Sequence, residues 1–180
     1  MKYFKKIEGE KVYLSPMNLE DIEKYVKWMN DFSTTDGLGS SSKVTTFESE
    51  RAWLINNMDK KEQQFAIVLK ETDKLIGNCG FVSLDKLMGK AEIGIFIGDN
   101  DYLGKGYGTE VLKALVKYGF DHLLLNNIML KVFSFNERAI KSYKKVDFKE
   151  FGRRHKCYNI ENTWYDEIYM EILREDFYKE

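Results

Sequence analysis

The chain has 180 residues, 43% of them hydrophobic and 14% aromatic, with 28 basic and 29 acidic side chains and a net charge of -1. That length suits one compact domain over residues 1–180 rather than two, and the composition is apolar enough to fill a core and exclude disorder. The balanced charge speaks against a nucleic-acid partner held through phosphate contacts, since such proteins carry a basic face or tail.

Lys11–Ser15 is a short strand candidate, ended by Pro16, with Asn18 placed to cap a helix in which Leu19, Ile22, Tyr25, Val26 and Met29 recur at helical spacing. Residues 31–45 hold Gly37, Gly39 and Ser40–Ser42 and read as a long loop, a length that in compact domains often carries function. Thr45 or Thr46 caps a second helix through Met58. Gln64–Lys70 then alternates, with Phe65, Ile67 and Leu69 on one face, and Glu71–Lys74 forms a turn before a strand over Leu75–Leu84. Lys90–Gly98 is β-rich and almost wholly apolar, which predicts a central strand, and the short connections make these three an antiparallel meander. A glycine-rich turn leads to a helix over Lys105–Leu123. A strand over Ile128–Phe135 and a helix over Asn136–Val146 follow, and Phe148–Tyr158 with Trp164–Leu173 form a terminal hairpin. The expected order is β-α-α-β-β-β-α-β-α-β-β, a mixed α/β (α+β) domain on one sheet.

The start Met1–Lys6 is basic, but no apolar stretch follows it, and no apolar run reaches the roughly 20 residues that cross a bilayer, so a cytoplasmic protein away from membranes is expected. Cys79 and Cys157 lie far apart without a CxxC pair, and His122 and His155 form no ligand pair, so neither a zinc site nor a disulfide is expected; Cys79 reads as a small core residue.

The sharpest local signal is Leu103-Gly104-Lys105-Gly106-Tyr107-Gly108-Thr109, three alternating glycines between a strand and a strong helix. Glycine lets a ligand approach the backbone, and the first N–H groups of a helix are unpaired and sit at its positive end, where a pyrophosphate fits. A Walker loop would need Ser or Thr after Gly-Lys, where Gly106 stands, and a dinucleotide fingerprint would need GxGxxG in a parallel βαβ unit.

This segment resembles the core motif of the GNAT superfamily of N-acetyltransferases, Arg/Gln-x-x-Gly-x-Gly/Ala, with Leu103 replacing the usual Arg or Gln. Its surroundings look like the RimJ/RimL branch. Ala91–Gly98 resembles the family's fourth strand, and Asn136, Ala139, Tyr143 and Lys145 match its Asn-x-x-Ala-x-x-x-Tyr-x-Lys signature. Gly152-Arg153-Arg154 with Asp166 and Met170 matches the C-terminal hairpin of the branch, and Asp147 departs where the family has Gly, in a turn that calls for left-handed backbone.

The resemblance implies acetyl-CoA as donor and CoA as product. It implies that Ala91–Gly98 and Ile128–Phe135 splay apart, with the pantetheine arm against Ile95, Phe96 and Ile97, the pyrophosphate on Gly104 to Thr109 and Asn136 beside the pantetheine. It makes Tyr143 the general acid for the leaving thiolate. Glu92 is a candidate base or amine-orienting carboxylate, and Trp28 and Phe32 are candidates for the acceptor pocket. The expected partner is a primary amine on a protein N-terminus or a small molecule such as a polyamine or amino sugar. The terminal hairpin and an exposed sheet edge are candidate homodimer contacts. The alternative is a non-catalytic acyl-CoA sensor.

Overall fold

The computed structural model describes residues 2–59 and 63–179. In chain order the elements are β1 (Ile7–Glu8), β2 (Val12–Pro16), α1 (Ile22–Met29), α2 (Phe32–Leu38), α3 (Phe47–Asp59), β3 (Gln64–Leu69), β4 (Leu75–Asp85) and β5 (Lys90–Ile97). They continue with α4 (Tyr107–His122), β6 (Asn127–Phe133), α5 (Glu137–Lys144), β7 (Lys149–Ile160), β8 (Thr163–Leu173) and the short α6 (Arg174–Phe177). The strands make one sheet in the order β1-β2-β3-β4-β5-β6-β8-β7, so the expected meander is present and β5 is central.

Both faces of the sheet are covered, which is why β3 reads FAIVL without a polar face. Phe65, Ile67 and Leu69 pack toward Val111, Leu112 and Leu115 of α4, as the alternation predicts, while Ala66 and Val68 pack toward Tyr25 and Trp28 of α1 and Leu54 of α3. Cys79 lies in the first of these layers, 1% exposed. In β8, Ile168, Met170 and Ile172 are buried, as their spacing requires.

Local chemistry sets the ends of the elements. Asn18 caps a 3-10 turn ahead of α1 by accepting from the Glu20 N–H, and Thr46 and Ser49 exchange side-chain and backbone bonds ahead of α3. Asp147 takes φ 67°, the left-handed conformation required by the turn it occupies. The Glu110 carboxylate in the first turn of α4 accepts from the N–H groups of Lys11 and Val12 at 2.8 and 3.1 Å, tying that helix to the β1–β2 turn.

One expectation is overturned: residues 31–45 are not all loop. Phe32–Leu38 is helical, with Asp31 accepting from the Ser33 N–H at one end and Gly39 at φ 66° closing the other. The segment FSTTDGL is poor in helix formers, so composition hid what its two caps specify. The two-residue β1 and four-residue α6 are too short to leave a periodic signature.

Candidate active site

β5 and β6 are the one parallel pair among the described strands, and they pair only where Lys90, Ala91 and Glu92 meet Asn127, Ile128 and Met129. Beyond that point β5 stays with β4 as far as Ile97 and β6 stays with β8 as far as Phe133. The two strands therefore part in the middle of the sheet, and the backbone from Ile93 to Ile97 has no sheet partner on its β6 side. Backbone N–H and C=O groups in a sheet interior require partners, so such a seam is built for a chain-like polar ligand.

A cavity of about 610 Å³ opens there, between Ile95, Phe96 and Ile97 on one wall and Asn136, Ala139 and Tyr143 on the other. Its end is the glycine turn. Gly104 and Gly106 take φ 72° and 89°, conformations that β-carbons disfavour. A Cβ built on Gly104, Gly106 or Gly108 would meet nothing within 4 Å, so the strip is open rather than packed. Gly106 is the N-cap of α4 and no side chain caps that helix, which leaves its first N–H groups and the positive end of its dipole turned to the cavity mouth. Leu103, Gly104, Gly106, Gly108 and Thr109 line the cavity. Lys105 and Tyr107 stay out of the lining: the Tyr107 ring packs edge-on to Tyr102 at 5.6 Å and the Lys105 ammonium lies 6.0 Å from the centre of the Tyr102 ring.

The signature residues fall together at the start and end of α5. Asn136 caps the helix by accepting from the Ala139 N–H at 3.1 Å, so its amide NH₂ is the part free to reach the cavity. Lys145 lines the cavity from just beyond the helix end. Tyr143 is 8% exposed and packs on Phe148 at 6.3 Å between ring centres. Burial pushes its phenol up to about 12.

A second cavity of about 290 Å³ lies on the far side of the seam, lined by Val82, Glu92, Gly94, Phe133 and Glu167 among others. The two cavities share Gly37, Leu38, Ile95, Lys131, Val132 and Tyr143, so Tyr143 stands at their junction. Glu92 belongs to this second cavity, where its carboxylate pairs with Lys131 at 3.2 Å.

Trp28 and Phe32 are placed otherwise than the acceptor-pocket expectation has them. Trp28 is 6% exposed and packs edge-on to Phe96 and against Gly98, whose absent Cβ makes room for the indole; it supports the C-terminal end of β5. Phe32 is 68% exposed and lines neither cavity. Their neighbours in α2, Ser33, Thr34, Gly37 and Leu38, form the roof instead, and the Gly39 Cα approaches Phe133 so closely that a Cβ would lie 2.9 Å from the ring. The Gly-rich 31–45 segment was the visible signal for this roof; Lys131 and Glu167, single charges in strands, had none.

The family model of the acetyltransferase (GNAT) domain matches residues 11–149. The uncharacterized N-acetyltransferase p20 of Bacillus licheniformis is 30% identical over 93% of this chain and 96% of its own length. A GNAT-family acetyltransferase structure from Bacillus anthracis superposes with TM-score 0.80 at 27% identity, covering 94% of this chain and 98% of that one. The Vibrio cholerae spermidine N-acetyltransferase, solved with CoA and spermine, superposes with TM-score 0.85 at 20% identity over 94% and 99%. With the seam, the glycine turn and a family match over most of its length, the chain belongs to the GNAT acetyltransferases, enzymes that take their acyl group from acetyl-CoA.

Proposed function

We propose that this chain transfers the acetyl group of acetyl-CoA directly to a primary amine, with the donor in the larger cavity and the acceptor in the smaller one. The observation that carries this is the position of Tyr143 where two cavities meet across the parted strands. A volume of about 610 Å³, an unpaired strand edge and an uncapped helix start behind bare glycines fit an elongated ligand with amide groups and a pyrophosphate. In this reading the backbone of Ile95 to Ile97 and the Asn136 amide hold the pantetheine arm. The N–H groups from Gly104 to Thr109 hold the pyrophosphate.

The nitrogen–carbon bond forms as the carbon–sulfur bond breaks, and the proton that the amine loses passes to Glu92 or to water. Tyr143 donates a hydrogen bond to the departing sulfur as negative charge develops there, and the released thiolate takes its proton from this phenol or from water. Glu92 has one oxygen engaged by Lys131 and lines the path of the acceptor. No acyl-enzyme is needed, and the buried Cys79 thiol, pushed up by desolvation, is no nucleophile for one. The acceptor is a primary amine of a small molecule or of a protein N-terminus, as in the RimJ/RimL-like enzymes.

Calorimetry with acetyl-CoA, CoA and ATP tests the donor, and release of CoA in the presence of amines tests transfer. Micromolar-range binding of acetyl-CoA, far weaker binding of ATP and amine-dependent CoA release are expected. Binding without turnover of any amine would make the chain an acyl-CoA sensor, and no binding by the folded protein would remove the proposal altogether.

A further inference from the structure

The smaller cavity carries three ionisable side chains in its wall beside Tyr143: Glu92 on β5, Lys131 on β6 and Glu167 on β8. Glu92 and Lys131 neutralise each other at 3.2 Å. Glu167 makes no ion pair among the described residues. Arg154 stands opposite it in the β7–β8 register and its charge reaches the Tyr169 hydroxyl, yet it comes within ion-pair distance of no carboxylate among the described residues. What holds Glu167 is the neutral Tyr169 hydroxyl, which donates to its Oε2 at 2.6 Å and leaves Oε1 without a donor among the described residues. The cavity therefore keeps one carboxylate without an ion-pair partner among the described residues, and it is Glu167 rather than the carboxylate that the sequence pointed to.

Part of the rest of the wall is apolar. Leu38 and Val82 are 40% and 54% exposed, and Phe133 faces them across the seam. Such side chains gain from an apolar body laid over them. A fixed carboxylate with a free oxygen is the complement of an ammonium, and a charge-assisted contact of this kind is among the stronger ones available to a protein.

We propose that Glu167 receives the ammonium of the incoming acceptor, and that the cavity selects an amine with a single positive charge and an apolar flank over a polycation. The inference rests on acetyl transfer as the function. A polycation would bring a second charge to Glu92, where Lys131 already stands. A monoamine meets the one free carboxylate and covers Leu38 and Val82 before it loses a proton and turns to the thioester at Tyr143. Tyr169 acts as a positioning residue, since its hydroxyl sets the direction of the Glu167 carboxylate.

The test is steady-state CoA release with 2-phenylethylamine and spermidine as probe amines, in the wild type and in Glu167→Gln, Glu92→Gln and Tyr169→Phe, with acetyl-CoA affinity measured in parallel by calorimetry. Glutamine retains the carbonyl that accepts from Tyr169, so the fold is preserved. The wild type is expected to show the lower KM for 2-phenylethylamine. Glu167→Gln is expected to raise that KM about tenfold or more, the scale of one lost charged contact, with kcat within about twofold and acetyl-CoA affinity unchanged. Glu92→Gln should move it less than about threefold, and Tyr169→Phe should give an intermediate rise. An unchanged KM in Glu167→Gln overturns the assignment. Spermidine as the better substrate, with equal losses in the Glu92 and Glu167 variants, overturns the single-charge selection. Acetyl-CoA binding without CoA release from either amine overturns acetyl transfer to this class of acceptor, and the inference with it.

Discussion

Replacing Tyr143 with phenylalanine removes one hydroxyl and little else. The ring is 8% exposed and held against Phe148, and among the described residues its hydroxyl makes no hydrogen bond, so the variant loses no internal partner. Melting should shift by no more than about 1–2 °C. The effect on turnover follows from the phenol itself. At about 12 it sits roughly 3.5 units above an ordinary thiol, so complete proton transfer is uphill by ~5 kcal/mol even to the departed thiolate. Most of its contribution is then a hydrogen bond to developing charge, ~1.5–3 kcal/mol, which predicts a fall in kcat of about 10- to 150-fold. The assay is CoA release under saturating acetyl-CoA with any amine the wild type accepts, together with acetyl-CoA affinity, which should not change. The pH profile adds a sign. A phenol raised by burial stays protonated up to about 12, so Tyr143 imposes no alkaline limb near pH 10. A folded Tyr143→Phe enzyme with kcat within twofold of wild type would refute the role, and an alkaline limb near pH 10 that vanishes in the variant would refute the burial argument.

Gly106→Ala places a Cβ at φ 89°, costing ~1–2 kcal/mol, and disturbs the N-cap of α4; a melting temperature lower by several degrees and weaker acetyl-CoA binding are expected, and unchanged affinity would count against the turn as the pyrophosphate seat. Trp28→Ala should cost ~3–5 kcal/mol in urea unfolding because it empties the space over Gly98, whereas Phe32→Ala at an exposed position should cost less than ~0.5 kcal/mol; similar costs would mean that Trp28 is not the buried support described. Burial is the leading cause that pushes the phenols of Tyr3, Tyr13, Tyr25 and Tyr143 up. Groups raised in the folded state contribute stability that is full below the unfolded value near 10 and is lost as pH climbs toward the folded values, so the unfolding midpoint should fall between about pH 10 and 12. A midpoint flat over that window would contradict it.

What the sequence disclosed and what it hid divide along physical lines. Strands such as β5 and β8 and helices such as α1 and α4 bury faces whose periodicity is written in the residues themselves. The glycine turn was legible because bare backbone in front of a helix has no other residue type that serves. Asp147 stood out only as a departure from the family's Gly, and at φ 67° it is a left-handed position that aspartate tolerates. α2 was not, because its stability comes from Asp31 and Gly39 at its ends and from contacts to Phe133 and Asn136 distant in the chain. That Trp28 lines neither cavity was not legible, because helical spacing places it on α1 but cannot say that it packs over Phe96 and Gly98 rather than farther back along β5 over Glu92 and Gly94. The Glu92–Lys131 pair joins strands that run parallel but are separated by α4, and Glu167 enters the same cavity from a third strand. Only the register of β5, β6 and β8 brings these charges together.

That register also accounts for where chemistry can occur. A sheet antiparallel on both flanks but parallel at its centre needs the α4 crossover to join β5 to β6, and the crossover places an uncapped helix start at the mouth of the only seam the described strands leave open. The seam must then be covered. α2 lies over it with Gly37 and Gly39 at the closest approaches, 3.3 Å from the Asn136 amide and 2.9 Å from the Phe133 ring for a Cβ built at either position. Its far end is held by the Ser41 hydroxyl, which contacts the Tyr158 hydroxyl at 3.2 Å, while Tyr158 stacks on Phe133 at 4.2 Å. A short helix of weak formers depends on such anchors at its ends, because propensity alone does not hold a helix of this length in water. α2, the element that sequence composition described worst, therefore lies over the junction, with Gly37 and Leu38 lining both cavities beside Tyr143.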